Sequence, residues 1–382
     1  SILSELLDGL SDKKEEGFAT IYGGVSSYLV ADYSEFQDKM CHIELTLKAG
    51  ESLLLCSDGL SDALSKEIRE KIEKAINETL KNNLSEPHLI KILIDELVNN
   101  LNSIKNKKNG NIFFNIYSGG IFIHQRPKVK NIKNKNWKNG KGYVELGDLL
   151  LINTIVYELD IIQRSALLMQ AKKGNINKII TPDNYEQLDL YTTWPEFEYV
   201  SGGILKGQKR HIDREQDSNK DIDNGAKYLF INTNNTLPKT SVAAATKLEL
   251  SELKDFIDEI YDFIKGSAGK EFCLKKEEDK DIGWDRVITD MIDNISILAL
   301  PESYQRAEHS EEKRGVGLCR APFEYLEYKG FESTPIIGKI LEISSIIDES
   351  NNTYNTNDRD EISGISMIEI IIKIDDFDIM VI

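Results

Sequence analysis

The feature that most limits what this chain can become is residues 142–173, GYVELGDLLLINTIVYELDIIQRSALLMQAKK. It holds two apolar runs, each long enough for a buried strand and too short to span a bilayer. The first opens behind Glu145 and Asp148, and the second ends in Gln170 and Lys172. Side chains two apart on a strand share a face, so Gln170 and Lys172 project together while Met169 and Ala171 face the other way. If the runs pair as a hairpin, Asp148 lies beside Gln170 and Lys172. A carboxylate, an amide oxygen and an ammonium then occupy one small volume. Hard oxygen ligands with a cation near the scissile group suit Mg²⁺-assisted hydrolysis of a phosphodiester.

An Asp, a strand, and then a Glu-or-Gln-x-Lys strand resembles the active-site pattern of the PD-(D/E)xK nuclease superfamily. The form Gln170-Ala171-Lys172 is similar to that of Mrr-type restriction endonucleases. The resemblance covers residues 113–233, about a third of the chain. It implies a metal-dependent endonuclease that hydrolyses DNA phosphodiester bonds with Mg²⁺ or Mn²⁺, of the sort that serves bacterial restriction or anti-phage defence. Asp148, Gln170 and Glu145 would be the metal ligands, with a backbone carbonyl at Ala171. Lys172 would orient or deprotonate the attacking water. The helix expected after the Gln-x-Lys strand would add a polar residue, for which Gln187 is the candidate. His124, near a turn, is weighed as a general base and reads better as structural.

Charge bears on the substrate. The 382 residues carry 47 Lys+Arg against 64 Asp+Glu, a net charge of −17 that disfavours general polyanion binding. Against that background, residues 126–141 contain no acid and hold Arg126, Lys128, Lys130, Lys133, Lys135 and Lys138, with Trp137 among them. Such a block, with Lys173 downstream, reads as a local track for a phosphate backbone, and Trp137 as a platform for a base. The bland alternative is a solvated loop. The acidic remainder suits a protein partner or a second copy of the chain. The four cysteines are far apart and form no metal-spaced pair, which fits a reduced, cytoplasmic setting without membrane.

Upstream, residues 43–56 read as a hairpin followed by Ser57-Asp58-Gly59 and a helix over 66–80 capped by Ser65. LTLKAGESLLLCSDGLSDAL resembles the late strand-turn of metal-dependent protein phosphatases of the 2C type, in which the residue matching Asp58 binds metal. The early Asp-Gly-x-Gly-Gly loop of that family has no counterpart upstream, so a scaffold role is expected. Residues 86–101 have a helical apolar stripe. Residues 112–116 and 120–124 read as strands, 184–193 as a helix, and 197–200 and 228–232 as strands. The stretch 206–224 reads as a charged loop. Further helices are expected over 249–265 and 283–292, with apolar strands at 331–345 and 365–374, the latter central in a sheet.

These readings combine into an α/β (α+β) chain whose mixed central sheet, flanked by helices, is of restriction-endonuclease-like type. Residues 1–110 would form an N-terminal α+β region, 111–240 the nuclease core, and 241–382 a C-terminal α/β extension packed on that core. Two other functions remain open: a non-catalytic or regulatory subunit of a defence complex, and a phosphatase-derived protein using Asp58.

Overall fold

The computed structural model describes residues 58–81, 84–105, 107–109, 112–123, 127–133, 137, 142–157, 160–174, 185–201, 205–216, 221–232, 239–246, 249–274, 283–298, 318–320, 336–337 and 364–377. The hairpin expected at 43–56, His124 and most of 331–345 lie outside them.

Among the described residues two helices come first, α1 (Asp58–Leu80) and α2 (Glu86–Asn102). Short strand β1 (Lys107–Asn109) and long strand β2 (Ile112–Phe122) follow, then β3 (Lys128–Asn131) and β4 (Val144–Glu145). The two apolar runs become β5 (Leu149–Tyr157) and β6 (Asp160–Lys173). Next are α3 (Tyr185–Thr193), β7 (Phe197–Tyr199), β8 (Lys209–Arg210), the single turn α4 (Ile222–Gly225) and β9 (Ala226–Ile231). The remainder is β10 (Thr240–Ala243), β11 (Ala245–Thr246), β12 (Glu249–Leu250), β13 (Lys254–Asp255), α5 (Phe256–Ile264), β14 (Lys270–Glu271), α6 (Trp284–Leu298), β15 (Leu318–Arg320) and β16 (Ser366–Phe377).

The main sheet is mixed, in the order β1-β2-β16-β5-β6-β9-β10-β13, with β14 on β6 and β15 on β2. The pair β5–β6 is an antiparallel hairpin, β6–β9 is parallel, and β16 runs parallel to β5 and antiparallel to β2. A smaller sheet has the order β4-β3-β7-β8. The C-terminal third therefore does more than rest on a core: its last strand is an interior member of the sheet.

Strand alternation gives the main sheet two apolar faces. Leu149, Leu151, Leu167, Met169, Ile368 and Ile370 share one core with α1, α2 and α5. Leu150, Ile152, Leu168, Tyr228, Met367 and Ile371 share the other with α3, α6 and the small sheet. Helix α2 buries Leu89, Ile90, Leu93, Ile94, Leu97, Val98 and Leu101, the one-sided spacing of an amphipathic helix. It is keyed to β2 by Ser118 Oγ donating to the Val98 carbonyl at 3.1 Å and Asn102 Nδ2 donating to the Ser118 carbonyl at 2.7 Å.

Several local expectations change. The helix expected over 66–80 behind a Ser65 cap starts at Asp58, with Ser65 inside it. The helix expected over 249–265 begins at Phe256, because Asp255 accepts from the Ile257 N–H at 2.8 Å and caps it there. Residues 249–250 and 254–255 are instead short strands. Ile336 and Ile337 are helical and buried rather than extended, with both N–H groups donating to the Glu369 carboxylate at 3.1 Å. In the stretch 206–224, read as a charged loop, Arg210 is 3% exposed and paired to Asp290 of α6.

Candidate functional site

At the mouth of the β5–β6 hairpin, just before β5, the Asp148 N–H donates to the carbonyl of Met169, the residue that pairs with Leu149, at 2.8 Å. The Asp148 side chain meets that of Gln170, which by strand alternation shares the face of Leu168 that α3 covers. Asp148 is 1% exposed and Gln170 is fully buried. A carboxylate in that setting needs donors. Asp148 Oδ2 accepts from the Ala171 N–H at 2.6 Å and from the Gln170 carboxamide nitrogen.

Helix α3 closes the network. Gln187, 7% exposed, uses Nε2 to donate both to Gln170 Oε1 and, at 3.2 Å, to the Glu145 carbonyl. That carbonyl is acceptor-only, so it fixes which end of the Gln187 amide faces it. Through Gln170 Oε1 it also fixes Gln170, which turns its nitrogen to Asp148. Tyr191, one α-helical turn on, donates to the Leu146 carbonyl at 2.9 Å, and Tyr228 stands opposite Gln170 in the β6–β9 ladder. Burial foremost pushes both tyrosine hydroxyls well above their ordinary pKa, and the nearby Asp148 charge adds to it. Trp194 ends α3 in the left-handed region at φ +43° and stacks on Tyr191 with ring centroids 5.5 Å apart.

The structure thus brings Asp148, Gln170 and Gln187 into one hydrogen-bonded group. Lys172 is on the same face of β6 as Gln170, two residues along and half-buried; among the described residues it makes no ion pair. Glu145 joins the network through its backbone carbonyl, while its residue is paired with Lys128 in the small sheet. Sequence reasoning missed Tyr191, Tyr228 and the Ala171 N–H. The signal for Tyr228 was weak, since YLFIN reads only as a buried strand.

The nucleic-acid track comes out differently. Trp137 is 4% exposed and its indole N–H donates to Asp189 at 3.0 Å, so it has no face to offer a base. Lys130 pairs with Glu198 at 2.8 Å and Lys133 with Glu196 at 3.4 Å across the small sheet, and Lys128 sits 5.1 Å from the Tyr143 ring. Lys173 is tied to the start of α2, donating through Nζ to the Leu84 carbonyl at 2.7 Å. Arg126, Lys135 and Lys138 lie outside the described residues. Asp58 is the first residue of α1 rather than part of a turn, and its side chain lies outside them too.

For a divalent cation, the donors at hand are one carboxylate, Asp148, with the neutral oxygens of Gln170 and Glu145. Among the described residues no group of three His, Cys, Asp or Glu side chains could hold a metal. By donor type the set suits one hard cation of the Mg²⁺ type, which commonly takes one or two carboxylates and completes its shell with water and substrate phosphate, but only with the Gln170 amide turned over from the orientation described above. Such an ion needs the Gln170 oxygen, not its nitrogen, toward Asp148. No helix among the described residues is long and apolar enough to cross a membrane. No family model, no curated protein and no solved structure matches this chain.

Proposed function

We propose that the chain is a metal-dependent endonuclease that hydrolyses DNA phosphodiester bonds, with a core of the restriction-endonuclease type. The observation that carries this is the buried Asp148 carboxylate, hydrogen-bonded to the side chain of Gln170, with Lys172 on the same face of β6 as Gln170. Strand directions support the same core. A helix, α2, precedes β2, which is antiparallel in direction to β5. The hairpin β5–β6 follows, then α3 and the parallel strand β9. The difference is β16, interposed between β2 and β5.

In this reading Asp148 and Gln170 would hold Mg²⁺ or Mn²⁺, which would polarise the phosphoryl group and neutralise developing charge. Lys172 positions the attacking water. The water oxygen bonds to phosphorus, the phosphorus–oxygen bond to the leaving alcohol breaks, and a proton passes to that alcohol. Gln187 holds Gln170, and the Glu145 carbonyl holds Gln187. Service in a bacterial restriction or anti-phage system, from a cytoplasmic location, is part of the same reading, as is association through the acidic surface.

A second reading, a non-catalytic or regulatory subunit, is favoured by one specific observation. The chain of bonds from the Glu145 carbonyl through Gln187 turns the nitrogen of Gln170, not its oxygen, toward Asp148. Incubation of plasmid and single-stranded DNA with Mg²⁺ and Mn²⁺ separates the two. Cleavage by the wild type, abolished in Lys172→Ala and Asp148→Ala with unchanged melting of Lys172→Ala, is the expected result. Equal activity of Lys172→Ala would sink the nuclease, and DNA binding without cleavage would favour the subunit.

A further inference from the structure

Tyr228 is the residue beside Asp148 to which the mechanism above gives no task. It stands opposite Gln170 on the neighbouring strand, is 4% exposed, and its hydroxyl has no hydrogen-bond partner among the described residues. The ring is fixed from two sides, by Tyr191 at 5.4 Å between centroids and by Phe230 at 5.9 Å in a stack. A tyrosine kept only for packing gains nothing from such a hydroxyl, since burying it without an acceptor costs stability that phenylalanine avoids. A phenol hydroxyl can donate a hydrogen bond without bringing a charge.

We propose that Tyr228 is a substrate-contacting residue of this site. Its hydroxyl donates a hydrogen bond to a non-bridging oxygen of the phosphodiester held beside Asp148. The proposal rests on the nuclease reading and extends it by a residue on the parallel strand β9. The chemistry suits the position. A second ammonium this close to Asp148 would form an ion pair with it, whereas a phenol donates to a phosphoryl oxygen without neutralising the carboxylate. Lys172 is opposite Phe230, one strand-face step from the Gln170–Tyr228 pair, so a charged and a neutral donor flank the same phosphate. Such preorganised donors act most strongly where negative charge develops on the phosphoryl oxygens.

The test compares wild type, Tyr228→Phe and Asp148→Ala as full-length chains. Duplex DNA cleavage is followed in Mg²⁺, fluorescence anisotropy of the same duplex in Ca²⁺, and thermal melting without DNA. Tyr228→Phe is expected to melt at or above the wild-type temperature, to bind DNA more weakly in Ca²⁺, and to lose about a hundredfold in kcat. Wild-type cleavage and binding by Tyr228→Phe, with Asp148→Ala inactive, would overturn this inference alone. Loss of activity together with a lowered melting temperature would mark Tyr228 as structural and overturn it too. A wild type that cleaves nothing removes the nuclease reading, and this inference with it.

Discussion

Asp148 receives both a main-chain and a side-chain N–H on one oxygen, and the second of these depends on a neutral amide. That makes Gln170 the residue that lets a buried carboxylate persist without a cation. Replacing it with glutamate would put two carboxylates in the same buried volume, where like charges force one to keep its proton. In the metal-free protein the folded form would then hold a proton to higher pH than the unfolded chain, whose glutamate titrates at about 4.3. Stability conferred by that proton is present at low pH and is lost as pH rises through the raised folded value. Gln170→Glu is therefore expected to melt below wild type at pH 8 in EDTA and to recover toward it at pH 5. The same change supplies a second anionic ligand, so Mg²⁺ should raise its melting temperature more than that of wild type. Differential scanning calorimetry with and without Mg²⁺ checks both. A variant that melts like wild type in EDTA at both pH values would mean Gln170 does not stand against Asp148.

Among the elements, β2 shows how a local signal can be read correctly and placed wrongly. Residues 112–116 and 120–124 read as two strands, yet β2 is continuous from Ile112 to Phe122. Gly120 is needed for α2: a Cβ there would lie 2.4 Å from Ile94 Cγ2 and 3.1 Å from Val98 Cγ2. Both neighbours are β-branched and buried, so relief requires the helix to move. Gly120→Ala is expected to destabilise the protein by about 1–3 kcal/mol, as overpacking does, measured by urea denaturation. An unchanged midpoint would mean the α2–β2 contact is looser than described. The β5–β6 hairpin, α2 and α6 were legible because each carries its own apolar period. The start of α5 was not, because apolar spacing runs on past the point where the Asp255 cap begins the helix. Trp137 and Arg210 misled for a different reason. Their partners Asp189 and Asp290 are 52 and 80 residues away, and no local pattern announces a pairing at that distance.

For the whole molecule, the decisive fact is where β16 lies. It pairs along its length with β2 on one side and β5 on the other, and Ile368, Ile370 and Ile372 enter the core beneath α2 while Met367 and Ile371 enter the opposite core. The sequence shows a continuous apolar strand there, but strand order is set by pairing across more than two hundred residues and leaves no local trace. Glu369 ties the same strand to residues 336–337. Removing residues 366–382 would strip β2 of its long antiparallel pairing, leaving it the short ones with β1 and β15, and would open both cores. It would also uncover the edge of β5, whose far side carries Asp148 and Gln170 on the hairpin with β6. Such a truncation is therefore expected to abolish folding and site together, yielding aggregate or an expanded chain by size-exclusion chromatography and circular dichroism. A trimmed but active core after this deletion would contradict the interior placement. The milder substitution Ile370→Ala, at a residue 1% exposed, should cost about 2–5 kcal/mol while leaving the fold assembled. Its loss of stability without loss of cleavage at low temperature would separate the strand's structural part from the chemistry at the mouth of the hairpin.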